Sequence, residues 1–305
     1  MIDFRYHVVS IVAVFLALAV GIVLGSGPLK DDISGFLEDR TEALAKEKVD
    51  LQDQVSSLRS DLEYNEKFAA IAQPVLIDQL LASHVTTVVV LPDTDGDQVD
   101  AVEKAISAAG GQVAERVTIE PSWGDPDQSD VLGRVAEGVA RGGRDEDPYQ
   151  LAGEVLASAL LTPGGRAVGQ PYNDGIGVLA AFEGEGFISA DETEVIRADT
   201  AIVVGPSGSS QNADRTLVPL LTAFDEVGVG TVLSAPVGSD GSEGVIGVLR
   251  GSDVDGVVSS EDRLETVNGV TVTVAALAEQ IAGGVGHYGT GDGSDGPAPD
   301  PMPRG

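Results

Sequence analysis

Cysteine is absent from the 305 residues, methionine occurs only at Met1 and Met302, and histidine only at His7, His84 and His287. The lack of thiols excludes disulfides, cysteine-based zinc sites and thiol catalysis. With so few thioethers and imidazoles, the chain is also a poor source of ligands for soft metal ions. Aromatics make up 4% of the residues, too few for the aromatic girdles of an outer-membrane β-barrel, and no repeated alternating segments replace them. Positive charge is equally scarce. Lys plus Arg number 18 against 49 acids, for a formal net charge of −31, and such a surface repels nucleic-acid backbones. No Gly-Lys pair occurs, so there is no Walker loop.

What the chain does have begins with one uninterrupted apolar run, VVSIVAVFLALAVGIVL from Val8 to Leu24. Extended to Leu29, it is long enough at about 1.5 Å per residue to cross a hydrocarbon core of about 30 Å. A cleaved signal peptide is the alternative, with Val23 and Gly25 ahead of Ser26 as a passable small-residue site. The run exceeds an ordinary signal core, and MIDFRYH before it offers only Arg5 and the terminal amine as positive charge, so an uncleaved anchor is expected. Arg5 on one side against Lys30, Arg40 and Lys46 on the other slightly favours a cytoplasmic head. Long domains cross regardless of such counts, and charge leaves the orientation open.

From Ile33 to Phe68 there is no proline, and Leu37, Leu44, Leu51 and Leu58 recur at sevens. With these as d positions, Thr41, Lys48, Val55 and Leu62 fall at a, the seam of a coiled coil. Leucine at d, β-branched residues at a and one Lys48 favour a parallel homodimer, and a single amphipathic helix lying on the head is the alternative. Arg40, Glu47 and Gln54 at g face Ala45, Gln52 and Arg59 at e without an opposite-charge pair, so charge does not select the partner. Such a helix would hold a head about 50 Å from the bilayer.

Pro74 is expected to end or restart the helix, after which short β-branched runs alternate with amphipathic stretches. Strands are expected at 84–92, 112–119, 199–206, 229–236 and 254–260, with helices at Tyr149 to Leu161 and Val270 to Ile281 and a helical, loop-rich middle from Asp125 to Gly186. Strand, helix, strand at this spacing is the pattern of a mainly parallel sheet covered on both faces, a three-layer α/β head. The organisation expected is a membrane anchor at 1–29, a coiled-coil stalk at 30–73, a head at 74–283 and a tail at 284–305. That tail, rich in Gly, Pro and Asp, is expected to be disordered.

Motifs that carry chemistry are few. GPSGSS, from Gly205 to Ser210, sits between a strand and a helix, where backbone amides could cradle an anion. It lacks the three-glycine dinucleotide fingerprint and, with Ser209 where glycine is needed, the nucleophile elbow, and reads as an ordinary turn. Asp93, Asp95 and Asp97 open a helix at the carboxyl edge of the sheet and could hold Mg²⁺ or Ca²⁺. Gln98 and Lys104 stand where an EF-hand needs Gly and Glu, and helix capping explains the three acids without a metal. His84 is expected as a surface or partly packed residue, His287 as a tail residue without structured neighbours, and His7 at the membrane border. No Ser, His and acid trio can be nominated, and neither catalytic, cofactor-binding nor metal-ligating residues are assigned.

MIDFRYHVVSIVAVFLALAVGIVLGSGPL, a heptad stalk, an α/β head and the late segment VTVAALAEQIAGGVGHYG (Val272 to Gly289) together closely resemble the actinobacterial copper-transport family typified by mycobacterial copper transport protein B. The resemblance spans nearly the whole chain and is most specific over Met1 to Leu29. It implies an envelope protein that limits intracellular copper, a head outside the cytoplasm, and, as described for the mycobacterial member, a channel-forming protein of the outer membrane; with no acid/base pair or nucleophile to nominate, no enzyme is expected. Copper is then expected as an indirect or weakly held partner, and no cofactor is expected. The alternatives are a coiled-coil scaffold for other envelope proteins and a hydrolase or glycan-acting enzyme.

Overall fold

A proline-free run rich in alanine, valine, leucine and isoleucine, with Gly21 as its one internal glycine, forms the first element of the computed structural model, helix α1 (Asp3–Gly25). The structure describes residues 3–25, 29–140, 147–162, 167–190, 195–208 and 212–304. Of α1, Phe4–Gly25 is long and apolar enough to cross a membrane, and none of that span is buried inside the protein. Helix α2 (Leu29–Leu76) carries the heptads as one unbroken rod. Leu44, Leu51 and Leu58 are 59%, 52% and 62% exposed, and Val55 and Leu62 are exposed beside them. Pro74 lies inside the last turn of α2, where its missing N–H forfeits one backbone bond, and the helix runs on to Leu76 before it stops.

The chain divides into two compact units, residues 1–65 and 66–305. In the second, the end of α2 is tied down by polar contacts. Glu66 accepts a hydrogen bond from the Val267 amide (3.2 Å), and the Gln73 amide donates to the Thr271 hydroxyl (3.1 Å).

β-Branched runs then build a seven-stranded sheet in the order β3-β2-β1-β4-β5-β6-β7. Its strands are β1 (Val85–Val90), β2 (Gln112–Ile119), β3 (Ile188–Ala190), β4 (Thr200–Val204), β5 (Gly230–Ser234), β6 (Ser259–Glu261) and β7 (His287–Tyr288). All neighbours are parallel except β2 and β3. Four of the five strands expected from sequence are β1, β2, β4 and β5, and the fifth, expected at 254–260, is the short β6, with 254–258 forming turns ahead of it. Side chains alternate between two apolar layers: Val85, Val89, Ala201, Val203 and Leu233 enter one core, and Val88, Val90, Ile202, Val204 and Val232 the other. Strands buried on both faces therefore read as continuous apolar runs. The Thr86 and Thr200 hydroxyls pair at 2.8 Å across β1 and β4, whereas the buried Thr231 hydroxyl of β5 finds no partner among the described residues.

Helices α4 (Ser129–Val139), α5 (Pro148–Leu160), α6 (Asn173–Gly184), α7 (Ala213–Val227) and α8 (Val245–Arg250) supply the first core. Helices α3 (Gly96–Ala108) and α9 (Val267–Ile281) supply the second, together with Ile77, Leu80 and Leu81. The middle of the chain is thus helical as expected. Helices α5 and α7 approach closely at Gly153, where a Cβ would stand 3.1 Å from the Pro219 carbonyl oxygen.

The expected disordered tail is overturned for residues 284–304. His287 and Tyr288 pair with β6, Tyr288 is buried, and Ala298 and Met302 pack against the second core. The physical reason is a set of buried anchors on the body of the head. Asp262 accepts from the amides of Thr290 (2.8 Å) and Gly291, and Arg250 donates to the carbonyls of Tyr288 (3.0 Å) and Asp292 (2.9 Å). Glycine is required rather than merely tolerated here. Gly289 adopts φ +123°, and a Cβ on it would collide with the Asp262 carboxylate. A composition that is poor in apolar residues is held by hydrogen bonds instead.

Candidate functional site at the carboxyl edge of the sheet

The sheet order reverses at β1: the chain runs outward through β2 and returns to place β4 on the other side. Loops leaving β1 and β4 therefore diverge, and open α/β sheets place their crevices at such a point. A cleft of about 620 Å³ lies there, walled by Leu91, Asp93, Trp123, Asp125, Ser207 and Asn212 among others.

Each wall has a local cause. Leu91 donates its amide to the Val204 carbonyl (2.9 Å), extending the β1–β4 ladder by one residue before Pro92 breaks it. Asp93 takes a left-handed conformation (φ +62°) that turns the chain. Asp95 then caps α3, its carboxylate accepting from the Asp97 amide at 3.0 Å. The three acids are accordingly a turn residue, a helix cap and a first-turn acid, as capping required, with Asp93 alone lining the cleft. On the opposite wall, Pro121 and Pro126 bracket short 3-10 turns. Within them Trp123, 2% exposed, packs its ring 5.6 Å from that of Phe182. Its indole N–H has no acceptor among the described residues. The Asn212 side-chain amide donates to the Gly124 carbonyl (3.2 Å) and ties the start of α7 to this rim. Of GPSGSS, Pro206 and Ser207 line the cleft, whereas Ser209 and Ser210 lie outside the described residues.

No lysine or arginine is among the described residues that line this cleft. With Asp93 and Asp125 as its charges, it disfavours nucleotides and other phosphate esters despite its position, and suits neutral or cationic ligands with polar atoms. Among the described residues, no group of three or more His, Asp or Glu side chains could hold a metal ion.

A second concentration of buried polar groups sits at the ends of β5 and β6. Glu261 accepts from the Ser234 hydroxyl (3.0 Å) and the Arg263 amide (2.7 Å), and Ser234 also meets the Thr273 hydroxyl of α9 at 2.8 Å. Burial pushes the Glu261 carboxyl up to about 8, helped by Asp262 and Glu265 nearby and opposed by those two hydrogen bonds. Next to it, Asp262 and Arg250 form an ion pair at 2.9 Å with side chains 2% and 6% exposed. Every one of these groups is satisfied from within the fold, so the network is built to hold structure.

The histidines are dispersed. His84 precedes β1 half-buried, its Nδ1 2.8 Å from Asp199, whose other oxygen accepts from the Val85 amide (2.9 Å). That is the partly packed role expected of it. His287 departs from expectation. It lies in β7 with Nδ1 2.9 Å from the Ser260 hydroxyl, and burial followed by the charge of Arg250 lowers its basicity below that of a free imidazole. His7 is exposed on α1. Sequence reasoning overlooked Trp123 and Asp125, for which the one tryptophan between two Asp/Pro-rich turns was the available signal, and the Arg250–Asp262 pair, for which there was none.

A model of the family described as copper transport outer membrane protein, MctB, matches residues 1–299. The chain belongs to the MctB family. It is 30% identical over 309 residues to the copper transporter MctB of Mycobacterium tuberculosis strain H37Rv, covering 96% of this chain and 98% of that protein. The copper transporter MctB of Mycobacterium bovis matches to the same extent, and that of Mycobacterium leprae is 29% identical over 320 residues. The MctB match extends through the apolar helix, the rod, the head and the ordered C-terminal segment, so the family is a property of the whole chain and not of one motif.

Proposed function

We propose that this MctB-family chain is a single-pass envelope protein that lowers intracellular copper, with the head outside the cytoplasm and the α2 heptads paired between two copies. The observation that carries the reading is the match to copper transporters over the whole length, apolar helix included. The exposed seam of Leu44, Leu51, Val55 and Leu58 supports the pairing, because an identical parallel helix presents the complementary knobs and holes. Copper is handled without a soft-ligand site in the head, since the chain offers no cysteine and only dispersed histidines. An outer-membrane location follows the family description, and one helix can line a pore only by oligomerising. Pure scaffolding is disfavoured by the family's transport role.

Growth of a deletion strain over a copper series tests this reading. Loss of the gene should raise cellular copper and sensitivity to it, and the full chain should restore both while a chain lacking residues 1–29 should not. Unchanged copper content in the deletion strain would sink the proposal and leave scaffolding as the better reading.

A further inference from the structure

The backbone bonds that fasten the C-terminal segment to the sheet run along the outer side of β6. Ser260 donates its amide to the Gly286 carbonyl (3.1 Å) and Asp262 to the Tyr288 carbonyl (3.2 Å), so β7 occupies the edge positions of β6. The segment then folds back over itself, with the Gly289 amide on the Gly296 carbonyl (3.0 Å) and the Asp295 amide on the His287 carbonyl (2.7 Å). Chain 286–296 thereby covers an edge that would otherwise present unpaired backbone groups.

One titratable side chain sits inside the fastening. The Ser260 hydroxyl, fully buried, accepts from Arg250 Nε at 3.1 Å and lies 2.9 Å from His287 Nδ1. A buried hydroxyl proton needs an acceptor, and Nδ1 is the acceptor at hand, which makes His287 the neutral tautomer with its proton on Nε2. The charged groups around it are Arg250 from α8, Asp255 from the loop after α8, Asp295 from the segment itself, Glu261 and Asp262 on either side of the β6 terminus, and Glu279 from α9, which binds the neighbouring Tyr288 hydroxyl. Arg250 disfavours a second positive charge beside it, and Asp255 and Asp295 offset this only in part.

We propose that residues 286–296 are an acid-releasable strap over the β6 edge of the sheet, with His287 as its trigger. Protonating Nδ1 removes the acceptor of the Ser260 hydroxyl and sets an imidazolium beside Arg250. The basicity of His287 is lower in the closed strap than in free imidazole. The open strap therefore takes up the proton first: closure is complete above about pH 6.5 and weakens as pH falls through the lower, closed-state value. Once released, the strap leaves the Ser260 and Asp262 amides on the β6 edge without their partners and open to pairing with another strand. Glu261 works in the opposite sense, its protonation favouring the folded head in acid, so release is local and separate from unfolding.

Hydrogen exchange on the full chain in detergent, corrected for intrinsic rates and compared at pH 7.5 and pH 5, tests the strap. Peptides spanning 258–264 and 284–296 should lose protection by up to about tenfold per pH unit, the limit for one linked proton, while β4 and α9 keep theirs. His287→Asn places an amide oxygen near the Nδ1 position without a titrating proton, and its strap should stay protected at both pH values. Equal protection of the parent strap at both pH values, or a release in His287→Asn as steep as in the parent, would overturn the proposal. A readout free of substitutions is the imidazole titration itself, which is tractable by NMR with only three histidines in the chain. A midpoint for His287 at or above that of the unfolded chain would equally overturn it.

Discussion

Glu261 and Arg250 show how much of the head rests on single buried polar residues. Glu261 titrates near 8 in the folded protein against about 4.5 for an ordinary carboxyl. The folded state therefore binds its proton more tightly than the unfolded one. Its contribution to stability is complete below about pH 4.5 and is lost as pH rises through about 8. Glu261→Gln keeps a neutral side chain of the same shape, and it should flatten that part of the stability-against-pH curve and raise the thermal midpoint above the parent's at alkaline pH. Thermal unfolding followed by circular dichroism from pH 4 to 9 checks this, and parallel curves for parent and variant would contradict it. Arg250→Met leaves Asp262 buried without its cation, a change that costs about 3–5 kcal/mol when one partner of such a pair is removed. The urea midpoint should fall accordingly, and proteolysis should begin within residues 284–304. Neither residue was distinguishable in sequence, where Arg250 and Asp262 look like any exposed charges, because only the fold removes them from water and sets them 2.9 Å apart.

Elements were far more legible than residues. The patterns that define them, continuous apolar runs for the strands and repeats of three and a half to seven residues for the helices, are local properties of the chain. VTTVVV, TAIVV and GTVLS became β1, β4 and β5 where the apolar runs placed them, and the helix expected at Tyr149 to Leu161 is α5, shifted by one residue. The heptads of α2 are equally plain, and they imply an experiment. Replacing Leu44, Leu51 and Leu58 with alanine would remove about 2–5 kcal/mol for each side chain buried in a paired seam. A fragment lacking residues 1–29 should then pass from dimer to monomer by light scattering. An unchanged mass would contradict pairing through this seam. The two-residue β7 was invisible because its place in the sheet depends on β6 and on Asp262, far from it in sequence.

For the whole molecule, anchoring and orientation determine what the head can act on. With the head outside the cytoplasm, protease added to intact spheroplasts should degrade it and leave a small anchored fragment. Protection until lysis would place the head inside. Copper chemistry has its own test. The chain should bind copper(I) no better than an acidic protein of similar charge, and any copper(II) gathered by its carboxylates should be released by moderate salt. A stoichiometric, salt-resistant copper(I) site that disappears in His84→Ala would replace indirect handling with direct binding. The cleft beside β1 and β4 enters these considerations only through its ligands. Its position was foreseeable from strand order, but its walls join residues as distant as Asp93, Trp123 and Asn212.

The sequence by itself determined the apolar helix, the heptad rod, the parallel α/β head and the family, because each is written in periodicity, composition or a contiguous motif that needs no distant partner. It also determined the poverty of soft metal ligands, which is a matter of counting. Tertiary structure alone decided that the glycine-rich C-terminal segment is ordered, that Glu261 holds its proton near neutral pH, and that His287 faces Ser260 and Arg250. Those outcomes depend on burial and on contacts between residues tens of positions apart, and hydrogen bonds to buried charges can order a segment whose own apolar content is too small to do so.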